Sequence, residues 1–196
     1  MGRPISFDQA QMLETIQNQF WNNGYAATSL DDIMKSTGLG KGSLYGAYGS
    51  KHDMYLMAFI DYCDWAIKDY EERLRGTDDG AIMRLRKLVQ MAAKSAPGSR
   101  RGCMLAKGTA EVAGRFPDVD KVIEKTFKAF EGEISKCVRQ AQRVGNIDPS
   151  RDARTIAVTL LAVLRGMEAL KRAGTSSATL SLVAQGALDL LKPTSR

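Results

Sequence analysis

With 196 residues, 44% of them hydrophobic and 26% charged, the chain has enough apolar material for one moderate domain, or a small one joined to a larger, and the balance of a soluble globular protein. No apolar run reaches the roughly 18 residues of a membrane span, and the N-terminal MGRPISFDQAQ lacks a signal-peptide core. Membrane insertion and secretion are therefore not expected, and the cytoplasm is the default location. The net charge of +6 invites an anionic partner. Residues 1–52, however, balance Arg3, Lys35, Lys41 and Lys51 against Asp8, Glu14, Asp31 and Asp32, so the excess lies further along the chain. Cys63, Cys103 and Cys137 stand far apart without a CxxC pair, which speaks against disulfides and structural zinc and for buried free thiols. With one histidine, His52, and no HExxH, GxSxG or phosphate loop, no catalytic residue, metal or cofactor is assigned.

The patterning is helical throughout, and no run alternates over strand length. Ser6 with Gln9, Thr28 with Asp31 and Ser50 with Asp53 each have the spacing at which a hydroxyl caps a helix and a side chain three residues on reaches back. A first helix is predicted from Phe7 to Asn22, burying Leu13, Ile16 and Phe20 and ending at Asn22-Asn23-Gly24. A second runs from Ser29 to Ser36 with Leu30, Ile33 and Met34 inward. Gly38 fits a left-handed residue just past its end, and Leu39 a hydrophobic plug. A short third helix spans Lys41 to Tyr48, with Gly40 as a permissive cap and Leu44 and Tyr48 on one face. A long fourth helix from Ser50 toward Arg75 links these to the rest. Breaks at 76–80 and 95–102, and at RFP, GNIDP and AGTSS, leave helices at 81–94, 103–114, 118–144, 152–173 and 178–191. The fold expected is all-α with about nine helices.

Two short helices joined by a glycine-containing turn, braced by a preceding helix, make a helix-turn-helix at residues 29–48. A helix that enters a groove about 12 Å wide needs a slim, hydrogen-bonding face, which Gly42, Ser43, Gly46 and Ala47 supply. Lys41, Tyr45, Tyr48 and Lys51 have groups that reach phosphate, and the helix N-termini at Thr28 and Ser50 offer free N–H groups. Tyr45 and Tyr48 also suit a core, Lys35 a solvated surface, and His52 an exposed first turn.

The segment GYAATSLDDIMKSTGLGKGSLYGAYGSKHDMY resembles the DNA-binding segment of the tetracycline-repressor (TetR/AcrR) family of bacterial regulators. The match rests on Gly24-Tyr25, Thr28-Ser29, Ile33, Gly38-Leu39, Lys41-Gly42, Leu44-Tyr45 and Ser50-Lys51. The resemblance implies that Thr28 caps the second helix and contacts phosphate, with Ser29 beside it. Lys41, Gly42, Ser43, Gly46 and Ala47 would face the major groove, and Tyr45 and Lys51 would grip the backbone. The chain departs from the family pattern at Met34 and Thr37 (usually Ala), Ala47 (His or Tyr), Tyr48 (Phe) and His52 (Glu). Ala47 removes a usual DNA contact and shifts discrimination toward Ser43, Lys41 or DNA shape.

The resemblance further implies that the remaining helices form an effector cavity and a dimer interface, with RGCML and NIDPSRDA as weaker points of similarity. From the residues themselves, 155–173 and 179–191 interleave leucines with Ala157, Ala162, Gly166, Ala169, Gly186 and Ala187. Such small residues allow the close helix approach of a four-helix interface between two copies or, equally, a buried pair within one. Tyr62, Trp65, Met91, Met104, Phe127, Phe130 and Met167 are candidate cavity walls, each also serving as plain core. Lys107 and Arg165 interrupt apolar helices. Facing inward they favour an anionic or carbonyl-bearing ligand; facing outward, Arg165 pairs with Glu168. Cys103 follows Arg100 and Arg101, a setting that lowers a thiol pKa. The organisation expected is a helix-turn-helix DNA-binding domain over 6–66 and a ligand-binding and dimerisation domain over 67–196. The function expected is a homodimeric repressor, released from a palindromic double-stranded DNA operator by a small-molecule effector, with no membrane partner.

Overall fold

A computed structural model describes residues 9–94 and 102–192. Among these are nine α-helices and no strand: α1 Gln9–Asn23, α2 Leu30–Thr37, α3 Lys41–Tyr48, α4 Lys51–Leu74, α5 Ala81–Ala93, α6 Met104–Glu111, α7 Pro117–Arg143, α8 Ala153–Arg172 and α9 Ser177–Asp189. The helix start expected at Ser6 and Phe7, and most of the break at 95–102, lie outside the described residues. No helix among the described residues is long and apolar enough to cross a membrane.

The punctuation explains the element ends. Gly38 closes α2 at φ +72°, a left-handed conformation that costs a Cβ-bearing residue about 1–2 kcal/mol, and its N–H donates to the Met34 carbonyl at 2.9 Å. Pro117 occupies the first position of α7, where its missing N–H costs nothing. Asp152 starts α8 by accepting from the N–H groups of Arg154 and Thr155.

The chain forms two compact units. The first holds residues 1–64 and 103–123, and the second holds 65–102 and 124–196. This differs from the single boundary expected near residue 66, because α6 and the start of α7 join the N-terminal helices. Gly108 contributes: a Cβ there would lie 2.6 Å from the Phe59 ring and 2.8 Å from the Tyr55 hydroxyl, so a larger residue would force these side chains to shift. The core of this unit is aromatic, with Phe20 edge-on to Tyr55 at 5.2 Å and Tyr55 stacked on Phe59 at 5.4 Å, all three buried. Lys107, offered above as a cavity residue, instead caps α1, donating to the carbonyls of Trp21 at 2.6 Å and Asn22 at 2.7 Å. These carbonyls lack helical partners at a helix C-terminus, where a cation is also favoured by the helix dipole.

In the second unit α5 packs on α8 and α9, and α8 on α9. Leu85, Phe130, Ile134, Leu160, Leu164, Met167 and Leu180 are buried in it. Arg84 stitches the 75–80 loop down by donating to the Leu74 carbonyl at 2.9 Å and to Gln140 at 2.9 Å. Cys63 and Cys137 are buried free thiols as expected, whereas Cys103 is half-buried and accepts from the Tyr62 hydroxyl at 3.4 Å.

Candidate nucleic-acid interface

Within the first unit, α3 buries only Leu44 and Tyr48, one turn apart, and exposes its other six residues: Lys41, Gly42, Ser43, Tyr45, Gly46 and Ala47. Leu44 is fully buried and Tyr48 is 7% exposed, while Tyr45 is 39% exposed, so the two tyrosines divide between core and surface. A Cβ placed at Gly42 or Gly46 meets nothing within 4 Å. The fold therefore does not require glycine at either position, and the slimness of this face is available to a partner. Leu39 is buried as the plug between α2 and α3. The ammonium of Lys41 lies 6.0 Å from the centre of the Tyr45 ring, which places one cation over one aromatic ring on this face.

Thr28 needs correction. Ser29, not Thr28, caps α2: the Ser29 hydroxyl accepts from the Asp32 N–H at 3.1 Å, and Asp32 accepts from the Ser29 N–H at 2.9 Å. Thr28 is fully buried and donates to the Gly24 carbonyl at 2.7 Å, so it holds the loop before α2. Two adjacent hydroxyls satisfy the same pattern in sequence, and burial of the first leaves the cap to the second. Ser50 and Asp53 form the same reciprocal arrangement before α4.

Asp32 and Asp53 are both held below the usual carboxylate range, first by hydrogen bonds from the side chains of Ser29 and Ser50 and next by those from their backbones. A carboxylate with a depressed folded pKa contributes stability above its unfolded value and loses it as pH falls through the folded one. Thermal unfolding followed by circular dichroism is thus expected to show a midpoint that drops below about pH 4. A Ser29→Ala/Ser50→Ala protein should show a weaker drop, and an unchanged acid profile would rule the caps out as its source.

Lys51 is half-buried with its ammonium 4.6 Å from the centre of the Tyr25 ring, and burial lowers its pKa. Tyr25 is fixed in turn: its N–H donates to Glu111 at 2.8 Å, and its ring meets Phe116 at 5.4 Å. His52, expected to be exposed, is half-buried, with Nε2 2.7 Å from Asp118 Oδ2. Glu111, Phe116 and Asp118 escaped sequence reasoning because nothing local marks a contact formed across 60 residues or more.

The candidate ligand residues are divided between the two units. Tyr62, Met104 and Lys107 belong to the first unit, and the others to the second. Trp65 is 55% exposed and Met91 40% exposed. Each lies off its helix's buried stripe, formed by Tyr62, Cys63, Ala66 and Tyr70 in α4 and by Leu85, Leu88 and Val89 in α5. Phe130 and Met167 are buried, and Phe127 is half-buried. Arg165 donates to the Tyr70 hydroxyl at 3.0 Å and lies 5.8 Å from the centre of the Phe130 ring, which stacks on Tyr70 at 4.0 Å. Glu168 pairs with Lys171 at 3.3 Å. A groove of about 530 Å³ between α5 and α9, lined by Gln90, Lys94, Ser181, Ala184 and Leu188 among others, contains none of the candidate residues.

A braced helix-turn-helix with a slim exposed second helix, followed by a larger helical unit, defines the class of helical transcriptional regulators. The description "Bacterial regulatory proteins, tetR family" matches residues 13–58, and "Tetracyclin repressor-like, C-terminal domain" matches residues 81–186. The chain belongs to the TetR family, whose members are transcriptional regulators and not enzymes. It is 25% identical over 191 residues to the HTH-type transcriptional repressor ComR of Escherichia coli K12, covering 96% of this chain and 91% of ComR. It is likewise 25% identical to the repressor BdcR of the same organism, covering 97% and 92%. In fold it is similar to reduced E. coli NemR, with TM-score 0.80, 18% identity and coverage of 93% and 95%. It is also similar to a cysteine mutant of CifR complexed with 26-bp double-strand operator DNA, with TM-score 0.74, 22% identity and coverage of 97% and 100%.

Proposed function

We propose that the chain acts in the cytoplasm as a homodimeric repressor that reads a palindromic operator through α3 and leaves it when a small molecule binds the second unit. The observation that carries this reading is the exposed, unobstructed face of α3; in a two-fold dimer two such helices would sit about 34 Å apart to read successive major grooves. Lys41, Gly42, Ser43, Gly46 and Ala47 face the bases, while Ser29, Tyr45 and Lys51 contact the phosphates. ComR and BdcR are both named repressors, which supports the sign of regulation.

Two exposed stripes support the dimer. Val158, Ala162, Gly166 and Leu170 recur every four residues along α8, and Ala178, Leu182 and Gly186 along α9, all exposed. Ridges at this spacing interlock helix on helix, and small residues let the backbones approach. For the effector, Arg165 with Tyr70 and Phe130 offers a half-buried cation beside stacked rings, which suits an anionic or carbonyl-bearing molecule.

Retardation of DNA from the region upstream of its own gene, measured over a range of salt, tests the reading. Binding should weaken with a steep log–log slope, and failure to retard any upstream fragment at low salt would refute it. Lys51→Ala should weaken all DNA sequences alike and lower the slope by about one. Lost sequence preference with unchanged affinity would place Lys51 at bases instead.

A further inference from the structure

We propose that His52 and Asp118 form a clamp that positions the start of α4, and with it Lys51 and α3, for operator contact. The proposal rests on the operator-binding reading and adds to it a pair of positioning residues that reach the DNA only through others.

His52 is the second residue of α4, next to Lys51. Its ring lies 4.5 Å from that of Phe116, its Nε2 meets Asp118 at 2.7 Å, and its Nδ1 is buried with no hydrogen-bond partner. A ring anchored through one nitrogen, with the other shut away from water, has one orientation open to it. Asp118 stands in the first turn of α7, its other oxygen accepting from the Val119 N–H at 2.9 Å, so the carboxylate is itself fixed. The neighbouring charges each have a partner of their own, and Asp53 also feels the charges of His52 and Asp118. Asp53, on the same helix as His52, accepts from Ser50, and Glu111 of α6 accepts from the Tyr25 N–H. Asp120 accepts from the Gly114 N–H, and Lys51 lies over Tyr25.

The two ends of the clamp meet at Phe116. Its ring contacts Tyr25, the seat of Lys51, on one side and His52 on the other. Adjacent residues of α4 are therefore located by one aromatic side chain, and a shift of His52 moves the ammonium of Lys51. The pairing depends on the histidine with which this chain departs from the family pattern. Glutamate, the residue that the family pattern places at position 52, would set one carboxylate against another at Asp118.

Fluorescence anisotropy of the full-length protein on its retained upstream fragment tests the clamp with H52E, H52Q, D118N and H52E/D118K, each paired with a thermal midpoint. H52E should weaken operator binding by about tenfold, within the range typical of coupled sites, while H52Q, whose amide still donates to Asp118, should stay within about threefold of wild type. D118N should fall between them, and H52E/D118K, which restores an opposite-charge pair, should recover most of the loss. The thermal midpoints of all four should lie within about 3 °C of each other, so that affinity changes without stability. H52E binding within about twofold of a wild type that does bind overturns the clamp alone. A loss that D118K leaves unrescued, or that tracks the midpoint, overturns it as well, and a wild type that binds no upstream fragment overturns the operator reading and the clamp together.

Discussion

A Gly46→Leu protein is expected to lose about a hundredfold or more in operator affinity while its helicity and thermal midpoint stay at or above those of the wild type. Gly46 lies inside α3 on its exposed face, and a Cβ there meets nothing within 4 Å. Within the protein the substitution is favourable, because glycine in a helix interior costs about 0.5–1 kcal/mol relative to a good helix former. Against DNA it is not. An α-helix with its side chains is roughly 10–12 Å across and the major groove is about 12 Å wide, so a branched side chain at the contact face holds the backbone away from the bases. Loss of two base contacts at about 1–3 kcal/mol each gives the stated factor. Anisotropy on the operator fragment and a thermal melt check both halves of the expectation. Wild-type affinity in the variant would move the DNA face away from Gly46, and a lowered midpoint would return this glycine to the fold.

The second large effect is expected from Leu182→Asp, which should convert the proposed dimer to a monomer and reduce operator affinity by about a hundredfold. Leu182 is 74% exposed, the most exposed of the large hydrophobic residues among those described, and lies between Ala178 and Gly186 on α9. In a two-fold interface the same patch meets itself, so one substitution places two carboxylates in one apolar contact. The operator term follows from linkage: a dimer binds its second half-site at high effective concentration, an advantage that a monomer lacks. Sedimentation velocity reads the mass and anisotropy reads the affinity. A variant that keeps dimer mass would place the interface elsewhere than α9. A monomer that binds as tightly as the wild type would remove the palindrome from the reading.

The helix-turn-helix was legible because its signals are local. Gly38 at φ +72° and the Leu44 and Tyr48 pair one turn apart are each fixed by residues within one turn of themselves. The reciprocal cap at Ser50 is fixed in the same way. Even so, the cap of α2 fell one residue from its expected place. Thr28 and Ser29 are equivalent by pattern, and only the burial of Thr28 against the Gly24 carbonyl distinguishes them. The candidate effector residues carry no such local signal. An apolar or aromatic residue carries no mark of whether its stripe faces inward, and Trp65 lies one position off the buried stripe of α4.

By itself the sequence determined the order of the helices among the described residues, the helix-turn-helix at 29–48 and the slim face of α3, because capping, periodicity and turn chemistry act over three or four residues; the family came from resemblance of the 24–55 motif. Only the tertiary structure decided that α6 and the start of α7 join the N-terminal helices, that Lys107 caps α1, and that His52 meets Asp118. Those contacts join residues dozens of positions apart. Their partners are chosen by how whole helices pack, and no short window of sequence contains both sides of the choice.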